Sequence, residues 1–174
     1  MDKLTQLAIK YGTDKWGKHH YTPVYYDLFK DRREAVRKVV EIGVGEGASL
    51  RMWRNFFPNA MTYGAEIDEG RVFTELRIKV IKCNQTSQDD LISLFNETGS
   101  NIDLFIDDGS HRPTDQLYTC LEVFPNLNRG AIYVIEDVAD TSVLFKLPTR
   151  WNCQMVKVGK RYDDRLIIVR HKNG

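Results

Sequence analysis

No run in the 174-residue sequence approaches the roughly 18 apolar residues of a membrane-spanning helix. The opening residues, Met1-Asp2-Lys3-Leu4, lack the apolar stretch and small-residue cleavage site of a signal peptide, so a cytoplasmic location is expected. Charge of one sign is not in excess either. Lys and Arg number 25 against 24 Asp and Glu, a net charge of +1. That is too little to steer the whole molecule onto nucleic acid or an anionic membrane. Cysteine is scarce: Cys83, Cys120 and Cys153 are far apart, odd in number and never in a Cys-x-x-Cys pair. The pattern argues against a disulfide framework or thiolate metal site and for three free thiols. Internal repeats, low-complexity tracts and Pro/Gly/Ser linkers are also missing, so one domain over residues 1–174 is expected.

What is present is an alternation of short apolar runs and helical spacings. Leu4, Leu7, Ala8 and Tyr11 share one helical face, and Thr22-Pro23 reads as an N-cap and first helical residue. Residues 1–35 are expected to form a helical cap over the site. Strands are predicted at 38–42, 61–67, 78–83, 102–106, 131–135, 151–158 and 165–169. Helices are predicted between them, including a weak one around 71–76. This pattern implies an α/β fold: a Rossmann-like, doubly wound, mostly parallel seven-stranded sheet with an antiparallel C-terminal edge hairpin.

Three strand ends carry unusual chemistry. The first ends in Glu41-Ile42-Gly43-Val44-Gly45-Glu46-Gly47 before a helix. Glycines there allow a sharp turn and close approach of a ligand to the main chain. A carboxylate ahead of them, Glu41, suits the cationic end of S-adenosylmethionine and would repel a pyrophosphate. Glu66, at the end of strand two, can accept hydrogen bonds from ribose hydroxyls. Strand four ends in Asp107-Asp108-Gly109-Ser110-His111 and strand five in Glu136-Asp137. Consecutive strand residues face opposite ways, so Asp107 and Asp108 should differ in role, one toward cofactor and one toward substrate. Carboxylates from two neighbouring strand ends make a hard-oxygen site suited to Mg²⁺. His111 is placed to remove a hydroxyl proton as a neutral imidazole. His19 and His20 are expected to be solvated or substrate-facing, and His171 to lie in a tail.

Taken together, these segments resemble the metal-dependent sugar O-methyltransferases of macrolide biosynthesis, the mycinamicin-type rhamnosyl and aminosugar enzymes. The matching pieces are Gly12-Thr13-Asp14-Lys15, His20-Tyr21-Thr22-Pro23, Glu41-Ile42-Gly43-Val44-Gly45, Asp107-Asp108-Gly109-Ser110-His111 and Ile135-Glu136-Asp137. The resemblance implies Mg²⁺ bound by Asp108, Glu136 and Asp137, with His111 as general base. It implies S-adenosylmethionine contacts from the 41–45 turn, Glu66, Asn84 and Gln85, with the 12–15 segment, Thr13 included, lying over cofactor or substrate. The implied partner is a small hydroxylated acceptor, a sugar, with no nucleic acid or membrane involved and with room for a homo-oligomer. The family's enzymes are longer, and they tend to carry Asp at the Glu66 position. Two other readings are a non-catalytic nucleoside-binding module with a degenerate acceptor site and a nucleic-acid methyltransferase. The latter rests only on basic clusters such as Arg32-Arg33 and 157–161, which read better as solvated faces.

Overall fold

Apolar runs of four to six residues become five parallel strands at the centre of an eight-stranded sheet. The computed structural model describes residues 1–172. In chain order the elements are α1 (Lys3–Tyr11), α2 (Thr22–Phe29), β1 (Lys38–Ile42), α3 (Ala48–Phe56), β2 (Met61–Glu66), β3 (Thr74–Glu75), β4 (Ile78–Lys82) and α4 (Gln88–Thr98). They continue with β5 (Leu104–Asp107), α5 (Pro113–Val123), β6 (Ile132–Ile135), α6 (Ser142–Lys146), β7 (Trp151–Lys157) and β8 (Arg165–His171). The sheet order is β3-β4-β2-β1-β5-β6-β8-β7. The chain winds outward from β1 through β2 to β4, then crosses back to β5 and β6. The switch point therefore lies between β1 and β5, where ligands of open α/β sheets bind.

Side-chain alternation builds two apolar layers. Val40, Ile42, Phe105, Tyr133 and Ile135 face one way and join residues of α4, α5 and α6. Val39, Leu104, Ile106, Ile132 and Val134 face the other and join Leu4, Ala8, Tyr25, Phe29 and Trp53 of α1, α2 and α3. Helices thus cover both faces, as a parallel sheet requires. Among the described residues no helix is long and apolar enough to cross a membrane.

The structure differs from expectation in several places. It has eight strands where seven were expected, because no α-helix forms over residues 71–76 and a short strand takes its place. A 3-10 turn at Glu69–Arg71 leads into β3, which pairs antiparallel with β4. An edge pairing satisfies backbone groups that a one-turn helix would leave open. Thr22 does not cap α2; its hydroxyl bonds Thr5 Oγ1 at 2.7 Å, and the cap position is Tyr21. His171 ends β8 and stacks on Phe124, with ring centroids 4.4 Å apart. The helices of residues 1–35 are packed into the α1–α3 layer, and the link between them reaches the strand ends.

Candidate active site and metal cluster

The 43–47 turn is shaped by its glycines. Gly43 has φ +86°, and a Cβ there would lie 2.0 Å from the Asp108 carbonyl oxygen. Only glycine allows β1 and β5 to end in such close contact. Gly45 and Gly47 are also left-handed, and Gly47 opens α3 as its N-cap. Below the turn, Glu66 accepts the Val44 N–H at 3.0 Å and the Asp68 N–H at 3.0 Å. A cavity of about 880 Å³ opens above the strand ends. Thr13, Gly43, Gly45, Glu66, Asn84 and Gln85 line it, as do Asp108, His111 and Asp137.

Two expected cofactor contacts, Glu41 and Asp107, do not line this cavity. Strand parity explains both. Asp107 follows Phe105 onto the α4–α5 face, where it is buried. There it accepts hydrogen bonds from Gln85 Nε2 at 3.0 Å and Tyr133 Oη at 3.3 Å. Burial pushes its pKa up to about 7. It holds Gln85, whose Oε1 accepts the Ser110 N–H at 2.7 Å, and so shapes the loop ahead of His111. Glu41 follows Val39 onto the opposite face, fully buried, and accepts the Trp53 indole N–H at 2.6 Å.

The same parity brings three carboxylates to one lysine. Glu41, Asp108 and Glu136 continue the α1–α3 face of β1, β5 and β6. Lys15 Nζ lies 3.1 Å from Glu41 Oε1, 2.8 Å from Asp108 Oδ2 and 2.6 Å from Glu136 Oε2. Burial works against the lysine charge, yet the carboxylates outweigh it and hold its pKa well above the usual value. Burial pushes Glu136 and Glu41 upward, and Lys15 opposes that in both. The other oxygen of Glu136 accepts the Tyr25 hydroxyl at 2.6 Å. Glu136, an expected metal ligand, therefore points away from the cavity and into this buried cluster.

The groups able to share one cation are Asp108, His111 and Asp137, with ligand atoms all within 4.8 Å of one another. His111 Nδ1 lies 4.0 Å from Asp108 Oδ1, and its Nε2 lies 3.8 Å from Asp137 Oδ2. An octahedral ion holds its ligand atoms about 3 to 4.2 Å apart and takes only one nitrogen of a ring, so this set, spread over up to 4.8 Å, is looser than a filled site, and its two carboxylates are the hard donors that would close on a divalent cation. His111 and Asp137 both have left-handed backbones, φ +57° and +52°. Such angles in non-glycine residues persist where surrounding contacts enforce them, and they cluster at functional sites.

Sequence reasoning missed Lys15 as the hub, along with Tyr21 and Tyr25. It also expected His19 to be solvated or substrate-facing, whereas the ring is buried, with Nδ1 2.8 Å from Asp164 Oδ1. His20 is exposed. A usable signal existed: the strand parity that separates Asp107 from Asp108 also aligns Glu41, Asp108 and Glu136, and buried acids in that number require a cation.

Comparison with known proteins gives a consistent picture. A family model described as a methyltransferase domain matches residues 40–138. The 8-demethyl-8-alpha-L-rhamnosyl tetracenomycin-C 2'-O-methyltransferase of Streptomyces olivaceus is 38% identical over 142 residues, covering 78% of this chain and 37% of that protein. Mycinamicin VI 2''-O-methyltransferase of Micromonospora griseorubida is 38% identical over 143 residues, covering 78% and 36%. The chain thus spans little more than a third of the curated relatives it matches. Among solved structures, the MycE methyltransferase of the mycinamycin pathway, in complex with Mg, SAH and mycinamycin VI, superimposes with a TM-score of 0.78. The identity is 30%, with 98% of this chain and 53% of that chain covered.

Proposed function

The chain belongs to the methyltransferase-domain family, with the class I methyltransferase fold, and from that premise we propose that it methylates a hydroxyl of a sugar or small glycosylated molecule using S-adenosylmethionine. The observation that carries the proposal is the convergence of Asp108, His111 and Asp137 at the mouth of the glycine-lined cavity. The cavity volume suits a nucleoside-sized ligand with an acceptor beside it. Glu66 and Gln85 at its walls offer acceptors to ribose and amine donors. The complex of MycE with Mg and SAH supports the same pair of ligands here.

Asp108 and Asp137 would hold Mg²⁺, with Glu136 joining when its carboxylate turns from Lys15. Bound there, the ion would gather acceptor oxygens and favour the alkoxide of one. His111 would take the hydroxyl proton at a ring nitrogen, freeing the acceptor oxygen to accept the methyl group of S-adenosylmethionine, with S-adenosylhomocysteine as the leaving group. Lys15 ties Glu41, Asp108 and Glu136 together beneath the site.

Calorimetric titration of S-adenosylmethionine and S-adenosylhomocysteine, each with and without Mg²⁺, tests cofactor and metal separately. His111→Ala is expected to keep cofactor affinity and lose turnover on a hydroxylated glycoside by about 10²–10⁴-fold. Full turnover in that variant would remove His111 as the base. Absence of any cofactor binding would overturn the assignment, and cofactor binding without metal affinity or turnover would favour a non-catalytic module.

A further inference from the structure

Asp137 lies just past β6 with a left-handed backbone, uncommon outside glycine though aspartate tolerates it better than most. Residues far away in sequence hold it there. The Tyr21 hydroxyl donates to Asp137 Oδ1 at 2.5 Å and accepts the Asp137 backbone N–H at 3.3 Å. One oxygen atom thus fixes both the side chain and the main chain of the same residue. Tyr21 is itself buried.

Behind Tyr21 stands a second layer. The His19 ring stacks on Tyr21 at a centroid distance of 4.9 Å and 10° between planes. Its Nδ1 is paired with Asp164, and its Nε2, buried and without a hydrogen-bond partner, faces Asp137 Oδ1 at 3.7 Å. Asp164 is itself buried and accepts the Arg161 N–H at 2.8 Å. Gly159 leaves room for it, since a Cβ there would lie 2.1 Å from Asp164 Oδ2.

We propose that Tyr21, backed by His19 and Asp164, is a positioning residue that sets Asp137 in its cation-ready pose before any metal arrives. This rests on the reading of Asp137 as a metal ligand. Residues that orient metal ligands commonly change metal affinity about 10–100-fold when removed. The brace joins the α1–α2 link, the end of β6 and the β7–β8 turn, and its direct contacts within the cluster are with Asp137. Asp108 is held by a different residue of the same link, Lys15.

The test compares the parent with Tyr21→Phe, both stripped of metal by chelator. Amide hydrogen exchange at Asp137, read by NMR, is expected to be at least about tenfold faster in Tyr21→Phe. Affinity for S-adenosylhomocysteine without metal is expected to stay unchanged, which a general loss of structure would not allow. Mg²⁺ affinity by calorimetry should fall about tenfold. Exchange at the parent's rate would overturn the brace, whatever the metal does. A parent that binds no Mg²⁺ would instead remove the metal from the proposed function, while the exchange rates still decide the brace. Should Tyr21→Phe fail to fold, Asp164→Asn reads the same amide through the second layer. Faster exchange there supports the proposal, and unchanged exchange overturns it.

Discussion

An ammonium group at 1% exposure is costly on its own, and so are the two glutamates beside it. Lys15, Glu41 and Glu136 make sense only as a set, and Lys15→Met leaves the acids without their cation. The expected cost is about 3–5 kcal/mol in the free energy of urea unfolding, because uncompensated buried charge is more harmful than a lost contact. Asp107 behaves in the opposite sense. Its folded pKa, pushed up to about 7 by burial, stands above the ordinary carboxylate value. Between pH 4 and 7 the folded protein keeps a proton that the unfolded chain releases, so stability falls as pH rises through that window. Asp107→Asn keeps an oxygen for Gln85 and removes the charge. At pH 8 it is expected to be more stable than the parent by roughly 2–4 kcal/mol, and at pH 4 to be equal to it, by denaturant midpoints at the two pH values.

Among the elements, the β1–α3 turn sets the distance between two strand ends. Gly43→Ala would place a methyl group 2.0 Å from the Asp108 carbonyl oxygen and strain a backbone at φ +86°. Something must move, and the movable part is the Asp108–Gly109 peptide that carries the site. The variant is expected to lose about 2–4 kcal/mol of stability and more than tenfold in S-adenosylhomocysteine affinity, by unfolding and calorimetry. The turn was legible in the sequence because glycine spacing after an apolar run has few other uses. β1, β5 and β6 were legible for a similar reason, since a strand buried on both faces is a nearly continuous apolar run, while β2 and β4, half-buried on one face, showed mainly through the turns that bound them. β3 and α6 were not, because two and five residues hold too little periodicity. Leu76 looked like part of a helical face and is in fact solvent-exposed beside an edge strand. At the site, Asp108, His111 and Asp137 were found by their neighbours in sequence. The direction of Glu136 was not, since it is decided by Lys15 and Tyr25, over a hundred residues away in the chain.

For the whole molecule, both apolar layers share one sheet, and the cavity rests on the ends of strands that both layers hold. Binding there should therefore be felt as global stabilisation. Saturation with S-adenosylhomocysteine at a hundred times its Kd is expected to add about 2.7 kcal/mol. For a chain of this size that corresponds to a rise in Tm of about 5–10 °C, readable by calorimetric scanning. An unchanged Tm under those conditions would mean that the ligand does not engage the native fold.

The order of strands also sets an order in time. β8 follows β7 in the chain, yet it lies between β6 and β7 in the sheet. Nothing joins β7 to the parallel strands until β8 has been synthesised and slotted in beside β6. During translation, β1 through β6 can assemble early, while β7 waits as an unpaired ribbon. Asp164 sits at the threshold of β8, so the His19–Asp164 pair behind Tyr21 is completed by the same late event. A nascent chain stalled before β8 would hold a formed glycine turn while Tyr21 still lacked the His19–Asp164 pair behind it.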